Sequence, residues 1–156
     1  MNHRSLQLFI FFSSIFSLTS IARGSGQSDS IQHKLNGLDN LEKINYFGQL
    51  SWELRQREPK QSLYYGKLAV QMADSYNLVA EKAKFSNFLG VAFLYNNVDL
   101  TNAIYYFEEA LETGLKIKDS VQIAYAYNNI SDVYFEAGHL DESREFTRIS
   151  IDYFQK

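Results

Sequence analysis

From about residue 41 onward, the apolar and polar positions follow the period of an α-helix rather than that of a β-strand. The clearest segment lies at residues 100–115, where the apolar side chains are spaced three and four positions apart. They are Leu100, Ala103, Ile104, Phe107, Ala110 and Leu111. Similar segments precede and follow it, separated by short polar turns. The pattern therefore predicts an all-α chain built from antiparallel helical hairpins.

Several residues mark the expected helix boundaries. Pro59 suits the first turn of a helix, where its missing N–H costs nothing. Asp99 and Asp119 each precede a helical pattern and are predicted N-caps. Gly138 marks the turn before the last helix. An additional short helix is predicted at about residues 29–36, before Gly37.

The chain repeats itself at intervals of about 40 residues. In three places a large apolar residue stands directly before a small one. These pairs are Leu50-Ser51, Leu89-Gly90 and Ile130-Ser131. Each pair is followed, in the next predicted helix, by a set of mostly small residues at helical spacing. The sets are Ser62, Gly66 and Ala69, then Ala103, Phe107 and Ala110, then Ser143, Thr147 and Ser150.

Gly90 stands inside a predicted helix, where glycine costs roughly 1 kcal/mol relative to alanine. A close approach by a second helix explains a glycine at this position better than a break does. We therefore predict that Gly90 is buried and helical, with Ala103 and Phe107 of the following helix as its neighbours.

This pattern resembles the tetratricopeptide repeat (TPR). The second repeat carries the resemblance best, through Leu89, Gly90, Phe93, Ala103, Phe107 and Ala110. The third matches it moderately and the first weakly, with Gly66 where an aromatic residue is expected. The resemblance implies a right-handed superhelix of about three stacked hairpins, a TPR-like solenoid. The predicted TPR-like domain spans 39–156, with repeats at about 41–78, 79–118 and 119–156. It resembles bacterial exported or sensor-associated TPR segments.

The resemblance also implies that the first helix of each repeat lines a concave groove for a protein or peptide partner. Its groove positions are Asn45, Gly48, Trp52 and Arg55, then Lys84, Asn87, Val91 and Leu94, then Tyr125, Asn128, Asp132 and Phe135. Asn87 and Asn128 are able to hydrogen-bond a peptide backbone. The alternatives are a core position for Trp52 and a role of Asn128 between adjacent helices. TPR domains that capture a C-terminal carboxylate use lysine where Gly48, Asn87 or Asn128 stands here, so that mode is not indicated.

The last predicted helix has apolar residues on two faces. Leu140, Ile151 and Phe154 are expected to pack on their own repeat, and Phe146, Ile149 and Tyr153 form a second face. A terminal helix with a solvated outer face would be polar there. The sequence therefore predicts association through Phe146, Ile149 and Tyr153, with a second copy, a partner or further repeats.

The N-terminal segment has the layout of a secretory signal peptide at 1–24. Arg4 precedes an uncharged apolar stretch, and small residues follow at Ser20 and Ala22. Cleavage is expected after Ala22, with Gly24 as a second option, and residues 25–38 form a linker with the short leading helix. The chain is accordingly expected to be exported, to a periplasm or outside the cell. An uncleaved N-terminal membrane anchor is the alternative.

The composition and the isolation of the polar residues argue against catalysis and metal binding. There is no cysteine, which excludes thiolate catalysis and Cys-based metal sites, and the net charge of −3 gives no indication of nucleic-acid binding. His33 and His139 are isolated, and the carboxylates of Glu108, Glu109 and Glu112 are interpreted as a solvated face. No nucleophile–base pair or metal-ligand spacing is present. We therefore expect no enzyme, no cofactor and no metal.

Two function classes remain from the sequence. The first is a scaffold that binds a protein or peptide in the groove. The second is the sensory or dimerisation segment of a bacterial sensor-kinase-type protein, present here as a short form or fragment.

Overall fold

The computed structural model describes residues 31, 33–96 and 99–155. The chain divides into two units between Asp39 and Asn40. Of the first unit, residues 31 and 33–35 are helical and Gly37 follows with a φ of +92°. The predicted signal peptide and the start of the linker lie outside the described residues. Among the described helices, none has the length and apolar character needed to cross a membrane.

The described part of the second unit contains six helices and no strand. They are α1 (Asn40–Leu54), α2 (Pro59–Ser75), α3 (Val79–Tyr95), α4 (Leu100–Ile117), α5 (Ser120–Glu136) and α6 (Leu140–Phe154). Consecutive helices pack as antiparallel pairs. In addition, α1 contacts α3, and α3 contacts α5, so the first helices of the three hairpins form one continuous layer. The predicted all-α stack of helical hairpins is confirmed.

The helix ends follow the sequence signals. Pro59 opens α2, and Asp99 and Asp119 cap α4 and α5 by accepting hydrogen bonds from the backbone N–H of Asn102 (3.1 Å) and Gln122 (3.0 Å). Their hydrogen bonds satisfy N–H groups that have no partner within the helix. These three boundary predictions are confirmed.

The second helix of each of the first two hairpins ends in a left-handed residue. Asn77 has a φ of 56° and Lys118 a φ of 58°. One residue later the chain turns back, so that the N–H of Leu78 donates to the carbonyl of Ala73 (2.8 Å) and that of Asp119 to Gly114 (3.0 Å). This is the Schellman arrangement, which satisfies carbonyl groups at the end of a helix.

At the crossing of α3 and α4, the ring of Phe107 lies directly against the backbone of Gly90. Gly90 is helical and buried, and a Cβ atom at this position would overlap the edge of that ring. Phe107 itself is fully buried. The prediction made for Gly90 and Phe107 is therefore confirmed, and the glycine allows the two helices to approach closely.

The other two hairpins cross through small and hydroxyl side chains. Between α1 and α2, the hydroxyl of Ser62 donates to the carbonyl of Ser51 (2.7 Å), and Gly66 leaves room for the side chain of Ser51. Between α5 and α6, the Ser131 hydroxyl donates to the carbonyl of Ser143 (2.8 Å) and lies 2.7 Å from the Thr147 hydroxyl. Buried hydroxyl groups that make hydrogen bonds avoid the cost of desolvation without a partner.

Aromatic rings add a second contact within each hairpin. The ring pairs are Phe47 with Tyr65 (5.9 Å between centroids), Phe93 with Tyr106 (5.5 Å) and Tyr134 with Phe146 (5.1 Å). Each ring on the second helix lies three residues after the small residue that opens its set, Ser62, Ala103 or Ser143. The three hairpins thus share one packing scheme although their crossings differ.

Lys82 links three helices near the start of α3. Its ammonium group pairs with Asp74 of α2 (2.7 Å) and Glu109 of α4 (3.1 Å), and Glu109 also accepts a hydrogen bond from Ser86 (3.0 Å). Burial alone would lower the pKa of Lys82, but the hydrogen bonds to the two carboxylates outweigh it and raise the pKa. The interpretation of Glu109 as part of a solvated face is therefore wrong: it is half-buried and ion-paired.

Candidate protein-binding surface

The layer formed by α1, α3 and α5 carries the residues predicted to line a groove. Lys84, Tyr125, Asn128, Asp132 and Phe135 are exposed there, and Trp52 is 37% exposed. Asn45, Arg55, Val91 and Leu94 are half-buried, and the amide of Asn45 donates to the Leu41 carbonyl of its own helix. The layer thus offers aromatic, charged and amide groups to solvent on neighbouring helices.

Two of the predicted groove positions are buried instead. Gly48 lies under the ring of Phe85, which occupies the space a Cβ atom would need. Asn87 is only 3% exposed. The contact between Gly48 and Phe85 joins α1 to α3, so this glycine serves the stacking of hairpins rather than the groove.

Both ends of the Asn87 amide are used inside the chain. Its Nδ2 donates to the backbone carbonyl (3.2 Å) and side-chain oxygen (3.1 Å) of Gln122, and its Oδ1 accepts from Asn129 (3.3 Å). A buried amide with its hydrogen bonds satisfied stabilises one arrangement of its neighbours. Asn87 therefore joins α3 to α5, and its side chain is not presented to a peptide.

The most distinctive partly exposed group is a set of four side chains on α1 and α3. We call Trp52, Arg55, Phe88 and Tyr95 the aromatic–arginine cluster. The rings of Trp52 and Phe88 are 4.8 Å apart, and the guanidinium carbon of Arg55 lies 3.8 Å from the centre of the Trp52 ring and 5.8 Å from that of Tyr95. Such stacking on aromatic faces is favourable for a guanidinium group and fixes its orientation.

Trp52 stands at the edge of this cluster with more than a third of its surface in solvent. The alternative that it is a core residue does not describe its position, because 37% of its surface stays exposed beside the contacts with Phe88 and Arg55. Tyrosine, tryptophan and arginine are the residues most often found at energetically important positions of protein interfaces.

On α5 the same layer becomes acidic and keeps aromatic groups. Tyr125 is 49% exposed and its ring contacts Phe154 edge-on at 5.3 Å, while Phe135 is 61% exposed. The pKa of Asp132 is raised. The larger cause is partial desolvation of its carboxyl group, and the smaller is the negative charge of Glu136. The carboxylate nonetheless belongs to an exposed residue.

Sequence reasoning missed Phe88 and Tyr95. The groove pattern selected Val91 and Leu94, which are half-buried, and passed over the aromatic residues beside them. A signal was available, since Phe88, Val91 and Tyr95 are spaced three and four apart and so share one face of a helix.

The two faces of α6 differ from the prediction at every predicted residue except Phe154. Leu140 and Ile151 are each 50% exposed, so the expectation that they pack on their own repeat is wrong, whereas Phe154 is 52% exposed but does contact Tyr125 of α5. Phe146 and Tyr153 stack on Tyr127 of α5 at 6.1 and 5.8 Å, and Ile149 is half-buried. The buried residues of α6 are Ser143 and Ser150. Phe146 and Tyr153, three positions after each serine, face α5. The outer apolar face of the helix is therefore Leu140, Ile151 and Phe154.

Within the described ranges, no three His, Cys, Asp or Glu side chains are grouped closely enough to hold a metal ion. The closest acid–base arrangement there joins Lys82 to its two carboxylates, and these groups bind one another between helices.

Comparison with solved structures identifies the fold. The chain is similar to the crystal structure of the TPR domain of Arabidopsis FLU, with a TM-score of 0.67 and 22% sequence identity, over 75% of this chain and 98% of that one. No protein-family model and no curated protein matched the chain. The chain thus has the TPR fold, a helical solenoid of stacked hairpins, as its sequence pattern predicted.

Proposed function

We propose that this TPR solenoid is a non-catalytic scaffold that binds a protein or peptide partner along the layer formed by α1, α3 and α5. The fold is typical of protein–protein interaction modules. The observation that carries the proposal is the aromatic–arginine cluster, which combines the exposed rings of Trp52 and Tyr95 with a half-buried, fixed cation on two neighbouring helices. An exposed group of this kind is characteristic of interaction sites.

Recovery of partners with an affinity-tagged chain tests the proposal. Trp52→Ala should strongly reduce partner recovery from cell extract, since it removes the largest ring of the cluster. Tyr64→Ala is the matched control, because Tyr64 is 40% exposed, also contacts a neighbouring ring, and lies on α2 outside the layer. Both variants are first compared with the wild type by circular dichroism. Equal recovery by the two folded variants would place the binding surface elsewhere.

A second function is supported by the outer face of α6, where Leu140, Ile151 and Phe154 are each about half exposed. In this alternative the chain is a dimerisation or sensory segment of a bacterial sensor-kinase-type protein and associates through that face. Sedimentation at increasing concentration should then reveal a dimer that Ile151→Asp abolishes and Lys60→Glu on α2 preserves. A monomer at all concentrations contradicts this function.

The proposed site of action is outside the cytoplasm, on the basis of the signal-peptide layout at 1–24. Residues 1–24 fused to a periplasmic reporter enzyme should direct its export. The N-terminal sequence of the exported product would distinguish cleavage after Ala22 from an uncleaved anchor.

A further inference from the structure

Arg55 carries a charge that no acidic side chain in the described part of the chain balances. Its Nη1 donates to the backbone carbonyl of Trp52, while its buried Nε makes no hydrogen bond. None of the ion pairs found among the described residues involves it. The two aromatic rings hold the guanidinium in place, so its position does not depend on a carboxylate within the fold.

Lys82 shows how the same fold treats a cation that serves only its own packing. That ammonium group, with 24% of its side chain exposed, meets Asp74 and Glu109 within 3.1 Å. Partial burial of a charge is costly unless an opposite charge or hydrogen bonds compensate it. Arg55 is also half-buried, but one hydrogen bond to a carbonyl and two aromatic rings take the place of a paired carboxylate, and an anionic group from outside would supply that opposite charge.

A second cation lies on the same surface. The Lys84 ammonium group of α3 is 5.2 Å from the centre of the Phe85 ring and 5.9 Å from that of Phe88. Lys84 is exposed and forms no ion pair with a described residue. Farther along the layer, α5 carries Asp132 instead. Among the groove residues, α1 and α3 thus carry the cations Arg55 and Lys84, and α5 carries the anion Asp132.

Resting on the proposed interaction function, we infer that the aromatic–arginine cluster recognises an acidic segment of a protein partner. A side-chain carboxylate of that segment pairs with Arg55, and an adjacent apolar side chain lies on the rings of Trp52 and Phe88. The planar guanidinium suits a carboxylate because it donates two parallel hydrogen bonds. Lys84 adds attraction for further acidic residues, and Asp132 repels them, so the acidic part of the partner lies toward α1.

The test uses a phage-displayed library of random 12-residue peptides selected on the full chain. Enriched peptides are synthesised with amidated C-termini, together with copies in which every Asp and Glu becomes Asn or Gln. We expect the enriched peptides to place an acidic residue beside an apolar one. The amide copies should bind at least tenfold more weakly, and so should the acidic peptides when Arg55→Gln replaces the wild type.

Two further variants separate charge from structure. Lys67→Gln removes a cation on α2 that also lies over an aromatic ring, Phe93, at 5.4 Å, and should bind like the wild type. Arg55→Lys keeps the charge and loses the planar stack, and should bind between the wild type and Arg55→Gln. All variants must match the wild type in helical content and unfolding midpoint, and Arg55→Ala replaces Arg55→Gln if the latter does not.

The outcomes distinguish this inference from the proposed function. If the amide copies bind as well as the acidic peptides, or Arg55→Gln binds normally, recognition of acidic segments is wrong. The interaction function still stands in that case if Trp52→Ala abolishes binding. A library that yields no binder, or binders that are indifferent to Trp52→Ala, contradicts both.

Discussion

The ring of Phe107 occupies the place that a side chain at Gly90 would need, and Phe107 has no exposed surface through which to move away. Gly90→Ala should therefore lower the free energy of unfolding by about 2 kcal/mol, because overpacking exceeds the gain in helix propensity. Urea denaturation measures the change.

Gly114→Ala is the matched control for Gly90→Ala. It is the same exchange in a buried helical position, but the nearest atom to the new Cβ is Cγ1 of Ile123 at 3.1 Å. The free energy of unfolding should change by less than roughly 1 kcal/mol, because the gain in helix propensity offsets the mild steric contact with Ile123. Equal effects of the two substitutions would contradict the account of Gly90.

The charge on Asp132 is disfavoured in the fold, because desolvation and the charge of Glu136 raise its pKa above the ordinary 3.8. Ionisation then costs stability at pH 7, and this cost disappears as the pH falls through the folded pKa toward the unfolded value. Asp132→Asn should raise the free energy of unfolding at pH 7 by roughly 0.5 kcal/mol, a small value because solvent screens an exposed group.

Urea denaturation at pH 7 and near pH 3.5 checks this prediction, since the advantage of Asp132→Asn should vanish at the lower pH. Glu136→Gln gives an independent reading, because it should bring the pKa of Asp132, measured by NMR, closer to 3.8. An advantage of Asp132→Asn that persists at pH 3.5 would show that charge is not its cause.

At the scale of residues, the sequence predicted contacts inside a hairpin better than contacts between hairpins. Gly90 could be matched to Phe107 because both lie in one repeating pattern. Gly48 and Asn87 were assigned to the groove by their phase in the repeat, yet Phe85 covers the first and Gln122 binds the second. Those partners lie in the next hairpin, and which side chain fills the space there is not set by the periodicity of one helix.

Among the elements, α2 and α4 end alike in a residue with a positive φ, but neither residue is glycine. The left-handed conformation is strained for a residue with a Cβ atom. The strain is larger for Lys118 than for Asn77, because asparagine adopts this conformation more readily. Lys118→Gly should thus raise the free energy of unfolding by about 0.5–1 kcal/mol.

Lys116→Gly serves as the control, since it removes the same charge two residues earlier, inside α4. It should lower the free energy of unfolding by about 1 kcal/mol. Thermal or urea denaturation of the two variants should give changes of opposite sign, and two changes of the same sign would contradict the role given to the αL position.

The existence and order of the helices could be predicted from spacing and caps, but the orientation of α6 could not. Its large apolar residues occupy two faces, so their number did not decide which face is buried. The choice was made by small hydroxyl residues: the Ser150 hydroxyl donates to the Ala124 carbonyl (2.8 Å), and Ser131 binds Ser143 and Thr147. A serine whose hydroxyl donates to a backbone carbonyl is buried as readily as an alanine, although serine is counted among the polar residues.

For the molecule as a whole, the stack implies unequal local stability. Within the described helices, α3 contacts α1, α2, α4 and α5, whereas α6 packs chiefly on α5. In repeat proteins, stability is close to a sum of repeat and nearest-neighbour terms. Amide hydrogen exchange should therefore be slowest in α3 and fastest in α6.

Ser131→Ala tests the local character of this stability. It removes the hydroxyl bound to Ser143 and Thr147 and should speed exchange in α6, at a cost of about 1–2 kcal/mol, while α1 and α2 change little. A uniform change across all six helices would indicate one cooperative unit instead.

The two junctions between hairpins differ in chemistry, and this gives them different responses to temperature. α1 meets α3 through an aromatic ring on bare backbone at Gly48, whereas α3 meets α5 through the hydrogen-bonded amide of Asn87. Apolar contacts lose strength on cooling because the entropic gain from releasing water declines. Cold should therefore weaken the α1–α3 contact before the α3–α5 contact, and the aromatic–arginine cluster, which bridges α1 and α3, would be the first part of the surface to change shape.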